Sequence, residues 1–238
     1  MNTLEYEYIQ KVNHCEAQYV DGSMFIFKDT KEAMEWLNLP QNEGSLLIAH
    51  CGGSFDFQLI MREFLSCGQL RMKKVKSPLL RGNKIITADI QNNIKLLDSY
   101  SFVTCALSKF PKIFNIEEEK KGFFPHLFNR PEFYNYKGPI PSWEWYNPDL
   151  FSPDKRREFF DWYEQQISNE VVFDFEQEMR SYCHSDVQLL RLGMERFREL
   201  FITLTRDDGT NIGVDPFNHL TIAGVAFEGI YMLSLIHI

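Results

Sequence analysis

The segment Ser45–Leu59 constrains the fold more than any other part of this 238-residue chain. Its apolar beginning runs into a Gly52-Gly53 pair, and an apolar segment resumes after Asp56. An apolar run that ends at a glycine turn and resumes as a helix is typical of a buried strand that delivers polar side chains to a sheet edge. Open α/β sheets place their chemistry at the carboxyl ends of strands, so we expect Asp56 to lie at such an end. The same pattern also occurs in turns without a catalytic role.

Composition narrows the class of protein. The chain is 44% hydrophobic and 15% aromatic, which indicates a dense core in one large domain or two small ones. The formal net charge of −8 argues against a large basic nucleic-acid surface, and it leaves a small substrate or a nucleic acid held at a few points. The five cysteines include no Cys-x-x-Cys pair, which fits a reducing compartment. The polar start does not resemble a secretory signal, and the nucleus and the mitochondrion both stay open as locations.

The segment Leu220–Ile238 is nearly all apolar and imitates a membrane span. Glu228 lies in its middle, and Gly224 and Gly229 interrupt it. We therefore favour a helix covered by another part of the protein, with no membrane partner. Leu233–Ile238 also resembles translated sequencing adapter, and no prediction rests on it.

Hydrophobic periodicity and turn residues predict an α/β fold. The predicted strands are Met24–Phe27, Ser45–Ala49 and a hairpin of Ile85–Ile90 with Ile94–Leu97. The predicted helices are Thr30–Leu37 with Thr30 as its cap, Phe55–Leu65 with most sides buried, Cys105–Phe114, a helix from Ser152-Pro153 to Ser168, and Asp174–Leu204. Residues 131–153 are predicted to form a long ordered loop that aromatic packing holds in place.

Several acidic residues are candidates for chemistry, and each has a structural alternative. Glu5 and Glu7 would share one face of an N-terminal strand, where they either bind a metal ion or face solvent. Asp98 follows a predicted strand and either caps the next helix or serves catalysis. Asp186 falls in the apolar stripe of the predicted helix Asp174–Leu204, one helical turn after Tyr182. A carboxylate in that position needs a metal ion, an arginine or a backbone cap.

Three further patterns carry weaker hypotheses. The basic stretch Arg71–Lys84 is typical of a solvated hairpin, with phosphate contact as the alternative. Neighbouring His and Cys residues suggest zinc only weakly, because adjacent residues rarely ligate one ion together. A thiol nucleophile at Cys51 is disfavoured because the sequence marks no base that would partner it.

The acidic candidates come from three separate parts of the chain. Glu5 and Glu7 come from the N-terminal strand, Asp56 from the central strand end, and Asp186 from the long helix. Carboxylates aimed at one sheet edge are what a two-metal phosphodiesterase needs, because Mg²⁺ or Mn²⁺ prefers oxygen ligands. Tyr182 would hold or orient the attacking water.

Four segments in a fixed order carry a family resemblance. Ile48–Asp56 resembles the second exonuclease motif of a family B DNA polymerase, and Leu97–Ser99 the strand end that follows it. Lys121–His126 resembles the lysine motif, and Tyr182–Asp186 fits the third motif, Tyr-x-x-x-Asp. Together, over Ser45–Ala226, the chain resembles the exonuclease domain of the organellar and viral, protein-primed branch, which includes polymerases of Maverick/Polinton transposons, linear plasmids and adenoviruses.

The resemblance implies a ribonuclease H-like (DnaQ-like) 3′–5′ exonuclease fold, with a mixed central sheet flanked by helices. It implies an exonuclease domain over residues 1–204, and a linker and helix over 205–238 that lead to a polymerase palm. No palm motif occurs before Ile238, so the chain is expected to be a fragment of a DNA-directed DNA polymerase that does not polymerise by itself. The implied partners are a single-stranded primer end, the template and a protein primer, with deoxynucleotides bound only through the palm.

The resemblance also implies roles for individual residues. The implied metal ligands are Glu5, Glu7, Asp56 and Asp186. The implied catalytic residues are these four together with Tyr182 and Lys121. The implied DNA-binding residues are His50, Cys51, Phe55 and Ser99.

Two departures from the family pattern leave a second function open. The family has Asn where this chain has Cys51, and a thiol is a much poorer hydrogen-bonding group. The first motif should read Asp-x-Glu, and its nearest match is Glu5-Tyr6-Glu7, whose first carboxylate has a longer arm. The alternative is therefore a catalytically decayed domain that is retained to bind the template or a priming protein.

Overall fold

The computed structural model describes residues 11–66, 78–117, 122–206 and 213–235. Glu5, Glu7 and Lys121 lie outside the described residues, as does the first half of the basic stretch Arg71–Lys84, residues 71–77. The chain divides into two compact units, one formed by Met1–Ile116 with Gln188–Ile238 and the other by Glu117–Val187. Both units contribute to residues 1–204, whose assignment as an exonuclease domain stays a prediction.

The helices and strands are numbered in chain order. The strands are β1 (Cys15–Gln18), β2 (Met24–Phe27), β3 (Leu46–Ala49), β4 (Leu79–Arg81), β5 (Lys84–Ile90), β6 (Ile94–Asp98), β7 (Lys137–Pro139) and β8 (Val172–Asp174). The α-helices are α1 (Thr30–Leu37), α2 (Asp56–Ser66), α3 (Phe110–Phe114), α4 (Pro153–Ser168), α5 (Phe175–Leu204) and α6 (Ile222–Leu235).

The first unit contains a mixed four-stranded sheet in the order β3-β6-β5-β4. Strands β3 and β6 are parallel, and the other neighbours are antiparallel. The register pairs Ala49 with Asp98, so these two strands end side by side. The predicted hairpin is confirmed as β5 and β6, and β1 pairs with β2 in a separate antiparallel sheet. The mixed α/β class is confirmed, whereas the ribonuclease H-like topology stays a prediction.

Strand β6 is buried on both faces, which makes it the centre of the first unit. Its Ile94 and Leu96 have no exposed surface and pack with residues of α1 and α2, including Phe57. Its Leu97 points into a second cluster with Phe110 of α3 and Phe197 of α5. Alternate residues of a strand face opposite sides, so the unit has helices on both faces of its sheet.

The caps and starts of the helices correct two predictions. Thr30 was expected to cap α1, but the cap is Asp29, whose extended backbone lets its carboxylate accept a 2.9 Å hydrogen bond from the Glu32 amide. The predicted helix Cys105–Phe114 is also too long, because only α3 is α-helical there. Pro111 lies in the first turn of α3, where a proline is tolerated and where helices commonly begin.

Helix α2 is less buried than expected. Phe57 and Phe64 face the core, but Leu65 is 62% exposed. The helix therefore has one apolar face rather than several, as expected for a helix that covers one side of a sheet.

The second unit is held together by aromatic side chains. Phe128 stacks on Phe133 at 4.0 Å between ring centroids, and Arg130 lies over the Trp145 ring. The expected ordered loop is confirmed, although it also contains strand β7, which pairs with β8. Helix α4 begins as predicted, since the Ser152 hydroxyl accepts a hydrogen bond from the Lys155 amide.

The C-terminal apolar segment forms α6 up to Leu235. None of the helices in the described part of the chain is long and apolar enough to cross a membrane.

Gly193 tests the packing between α5 and α3. A Cβ at this position would overlap the buried ring of Phe110, whereas a Cβ at Gly229 in α6 would meet only Thr205 at 3.4 Å. Alanine improves helix propensity by about 1 kcal/mol at both sites, but overpacking removes about 1–3 kcal/mol. We expect Gly193→Ala to lower the free energy of unfolding in urea and Gly229→Ala to raise it. Equal effects of the two substitutions would contradict this packing.

Candidate functional site

The candidate site lies where β3 and β6 end side by side. After Ala49, the chain turns through residues 50–55 before α2 begins at Asp56. Asp98 is the last residue of β6 and is paired with Ala49. Asp56 is therefore the first residue of a helix and not, as expected, the end of a strand. The prediction that it lies near the carboxyl ends of the strands is nevertheless correct, because Asp98 is close enough to act on its charge.

The turn can form only with glycines at two positions. A Cβ at Gly52 would lie 2.7 Å from the Cβ of Ala49, and one at Gly53 would overlap the carbonyl oxygen of Ile85 in β5. Real Cβ atoms do not approach other atoms this closely. The Gly-Gly pair thus lets the backbone of the turn press against the sheet.

Asp98 anchors two turns, one with each carboxylate oxygen. Its Oδ2 accepts a 3.0 Å hydrogen bond from the Gly53 amide, and its Oδ1 accepts a 3.0 Å hydrogen bond from the Tyr100 amide. The second bond caps the short 3₁₀ turn after β6, which confirms the capping alternative. The bond to Gly53 was not expected from the sequence.

The carboxyl group of Asp56 is held in an environment that disfavours its charge. The residue is exposed on one side, but surrounding protein atoms raise the pKa of its carboxyl group, and the negative charge of Asp98 raises it further. Its own backbone amide opposes the shift. Burial therefore outweighs the stabilisation that a helix N-terminus normally gives a carboxylate.

His50 and Ser99 tie the two strand ends together. The His50 Nδ1 lies 2.9 Å from the Ser99 hydroxyl, and its Nε2 lies 2.8 Å from the carbonyl oxygen of Cys105. A carbonyl oxygen only accepts, so Nε2 carries a hydrogen. The Ser99 hydroxyl in turn donates a 3.2 Å hydrogen bond to the carbonyl oxygen of Ala49, the last residue of β3. Ser99 has no exposed surface. Its expected role as a DNA ligand does not fit this structure, whereas DNA binding by His50 stays a prediction.

Cys51 and Phe55 lie on the same turn. Cys51 has a left-handed backbone with φ of 58°, and Phe55 is 65% exposed. Burial raises the pKa of the Cys51 thiol, the charge of Asp98 raises it further, and Lys84 partly offsets the shift. The thiol is therefore neutral near pH 7, which does not favour nucleophilic chemistry. Contact of these two residues with DNA stays a prediction.

Tyr182 and Asp186 lie together in the second unit. The Tyr182 ring contacts Phe124 and His126 at 5.3 Å between centroids in each case. Burial, followed by the negative charge of Asp186, raises the pKa of Tyr182 to about 12. The phenol therefore keeps its proton at neutral pH and can donate a hydrogen bond. Asp186 is half-buried, so it does not face the interior as completely as the apolar stripe suggests.

Two of the four predicted metal ligands, Asp56 and Asp186, lie among the described residues. Asp56 and Asp98 are neighbours in the first unit, and Asp186 belongs to the second. Within the described ranges, no group of three or more His, Cys, Asp or Glu side chains is arranged to hold a metal ion. The Mg²⁺ or Mn²⁺ ligands therefore stay a prediction.

Two features beside the turn were not predicted from the sequence. Cys15 of strand β1 lies near Asp56. Burial, and after it the negative charge of Asp56, raises the pKa of the Cys15 thiol to about 11. The Gln58 side chain donates hydrogen bonds to the carbonyl oxygens of Gly53, at 3.2 Å, and Asn83, at 2.9 Å. Neither has a clear sequence signal, since β1 is only four residues long and contains residues of low strand propensity, and glutamine is common on helix surfaces.

The backbone of Cys51 generates a prediction. A left-handed conformation costs an ordinary residue about 1–2 kcal/mol, whereas asparagine adopts it readily. We expect Cys51→Asn to raise the free energy of unfolding by about 1 kcal/mol. Cys51→Val should lower it, because a β-branched residue tolerates this region least. Urea unfolding of both variants checks this, and a gain from valine would contradict it.

Two comparisons with known proteins found similar sequences. The family model for DNA polymerase type B, organellar and viral, matches residues 38–232. A DNA polymerase of Kluyveromyces lactis is 28% identical over 160 residues, which cover 60% of this chain. The chain spans only 15% of the length of that relative. No solved structure matches significantly. Since the family model covers most of the sequence, the chain belongs to the type B DNA polymerases of the organellar and viral family.

Proposed function

We propose that this chain is the 3′–5′ exonuclease part of a DNA polymerase and hydrolyses the phosphodiester bond at a single-stranded primer end. The observation that carries the proposal is the placement of Asp56. It begins a helix at the meeting point of two strand ends, beside a turn that only glycines allow, and its charge is disfavoured by its surroundings. Raised carboxyl pKa values are enriched at functional sites.

The carboxylates fit a hard divalent cation. A carboxyl group whose negative charge is poorly compensated gains from a nearby cation, and Asp56 is such a group. We propose Asp56 and Asp186 as ligands, together with Glu5 and Glu7, which lie outside the described residues. Two Mg²⁺ or Mn²⁺ ions, when bound, supply charge neutralisation at the phosphate and activation of water.

The remaining side chains position the substrate. Phe55 exposes most of its ring beside Asp56 and offers a surface on which a terminal base can stack. Tyr182 keeps its phenolic proton and donates a hydrogen bond to the attacking water or to a phosphate oxygen. Lys121 is proposed to contact the substrate by family resemblance alone.

One observation favours the second candidate function, a decayed domain that binds DNA or a priming protein. The turn carries Cys51, whose neutral thiol is a poor hydrogen-bonding partner for a primer strand. Salt-sensitive binding of single-stranded DNA without turnover in Mg²⁺ or Mn²⁺ would favour this function.

Replacement of Asp56 tests the exonuclease. We expect Asp56→Asn to slow digestion of a 5′-labelled single-stranded oligonucleotide in Mg²⁺ by about 100-fold or more, because it removes a proposed metal ligand. Asp161→Asn changes an exposed aspartate of α4 in the same way and should leave digestion unchanged. Digestion that persists in Asp56→Asn would exclude the proposed role of this residue.

The same substitution should have the opposite effect on stability. The pKa of Asp56 is higher in the folded protein than in the unfolded chain, so the ionised carboxylate destabilises the fold above the folded pKa. Asp56→Asn should therefore raise Tm at pH 7, and the gain should disappear as the pH falls below the unfolded value. Added Mg²⁺ should raise the Tm of the parent protein more than that of the variant. A lower Tm for the variant at pH 7 would contradict this account of the charge.

A further inference from the structure

The peptide groups on both sides of Gly53 are held by side chains from two different elements. Asp98 of β6 accepts a hydrogen bond from the Gly53 amide at 3.0 Å. Gln58 of α2 donates to the Gly53 carbonyl oxygen at 3.2 Å. The carbonyl of Ile85 closes the space where a Cβ would be. Gly53 is thus fixed by two hydrogen bonds and by a steric wall.

Gln58 also reaches a second backbone. Its Nε2 lies 2.9 Å from the carbonyl oxygen of Asn83, in the turn between β4 and β5. Both partners are carbonyl groups that only accept, so the amide must present its nitrogen, and its two hydrogens are both used. The side chain therefore joins the Gly-Gly turn to the tip of the β4–β5 hairpin.

We propose that Gln58 is a positioning residue for the reaction, which acts by fixing the turn that precedes Asp56. The inference rests on the proposed exonuclease function. The hydrogen bonds of the Gln58 side chain go to backbone carbonyl oxygens, so its effect passes through the Gly53 backbone. Only Ser54 and Phe55 separate Gly53 from Asp56, so a displacement of the Gly53 peptide moves the carboxylate with it.

The tip of the β4–β5 hairpin carries two exposed cations that could contact DNA. Arg81 and Lys84 flank Gly82 and Asn83, and all four residues are exposed. Lys84 is close enough to influence the Cys51 thiol on the Gly-Gly turn. A DNA strand whose phosphates contact these cations would therefore rest on the same rigid body that holds Asp56, so that the substrate and the carboxylate keep one geometry.

The test separates the loss of the two hydrogen bonds donated by Gln58 from a general loss of stability. Gln58→Met keeps the length of the side chain but removes both hydrogen bonds, and Gln58→Glu places a carboxylate against two carbonyl oxygens. A misplacement of about 1 Å at a catalytic group lowers rates by about 100-fold, so we expect kcat on a single-stranded oligonucleotide to fall at least about tenfold in both variants. KM should change less than twofold. The assays are run well below the Tm of each variant, so that unfolding does not lower the measured rate. Gln165→Glu, at an exposed position of α4, is the matched control and should keep the parental kcat.

A second measurement does not depend on activity. Hydrogen exchange of the Gly53 amide should become at least about tenfold faster in Gln58→Met, because the peptide is no longer held on its carbonyl side. An unchanged exchange rate, or faster exchange with parental kcat, would overturn the proposal. A parent protein that digests no DNA in Mg²⁺ or Mn²⁺ would refute the exonuclease function and with it the catalytic role of Gln58, and the exchange rate would still decide whether Gln58 fixes the turn.

Discussion

The parallel pairing of β3 with β6 is the constraint on which the candidate site depends. This pairing brings Ala49 beside Asp98 and leaves the chain after Ala49 only a narrow space in which to reverse direction. The turn must press against β5, because Asp98 draws in the Gly53 amide while the Ile85 carbonyl blocks any side chain at that position. The start of α2, and with it Asp56, is fixed by this packing.

The electrostatic environment of Asp56 at this turn destabilises the fold when the carboxyl group is ionised. Two carboxyl groups lie near each other, and the protein gives Asp56 too little compensation, so its pKa rises. Two backbone amides satisfy the oxygens of Asp98. Asp98 therefore anchors backbone, whereas in the proposed function the carboxylate of Asp56 would gain from a nearby cation. Folded proteins commonly retain such unfavourable groups where function needs them.

The sequence predicts well the elements whose signal is local. The hairpin of β5 and β6 has β-branched and apolar residues on both sides of an asparagine-rich turn. Helix α4 has a serine cap followed by a proline, so both were predicted almost to the residue. Strand β1 was missed because it is only four residues long, Cys15–Gln18, and its Glu, Ala and Gln residues are uncommon in strands. Strand β7 was missed because its Gly-Pro sequence is unfavourable for a strand and is tolerated there only through pairing with β8.

The same distinction applies to the candidate site. The Gly-Gly turn identified the position of Asp56 in the chain, because glycines mark close backbone approach. The bonds of Asp98 and Gln58 to Gly53 join residues far apart in sequence or unremarkable in type, so no local pattern indicated them. The burial of Ser99 was also hidden, because a serine after a strand has the same appearance whether it faces solvent or locks a histidine in place.

Two constraints together limit what can occupy position 51. The left-handed backbone favours glycine, asparagine or aspartate. The neighbouring carboxyl groups of Asp56 and Asp98 disfavour a further negative charge, which excludes aspartate. Cysteine satisfies the second constraint, since its raised pKa keeps the thiol neutral, but it does not satisfy the first. Cys51 thus adds no charge beside Asp56. In the proposed function its thiol would bond a primer strand less well than an amide side chain, so metal binding and DNA binding could vary independently at this turn.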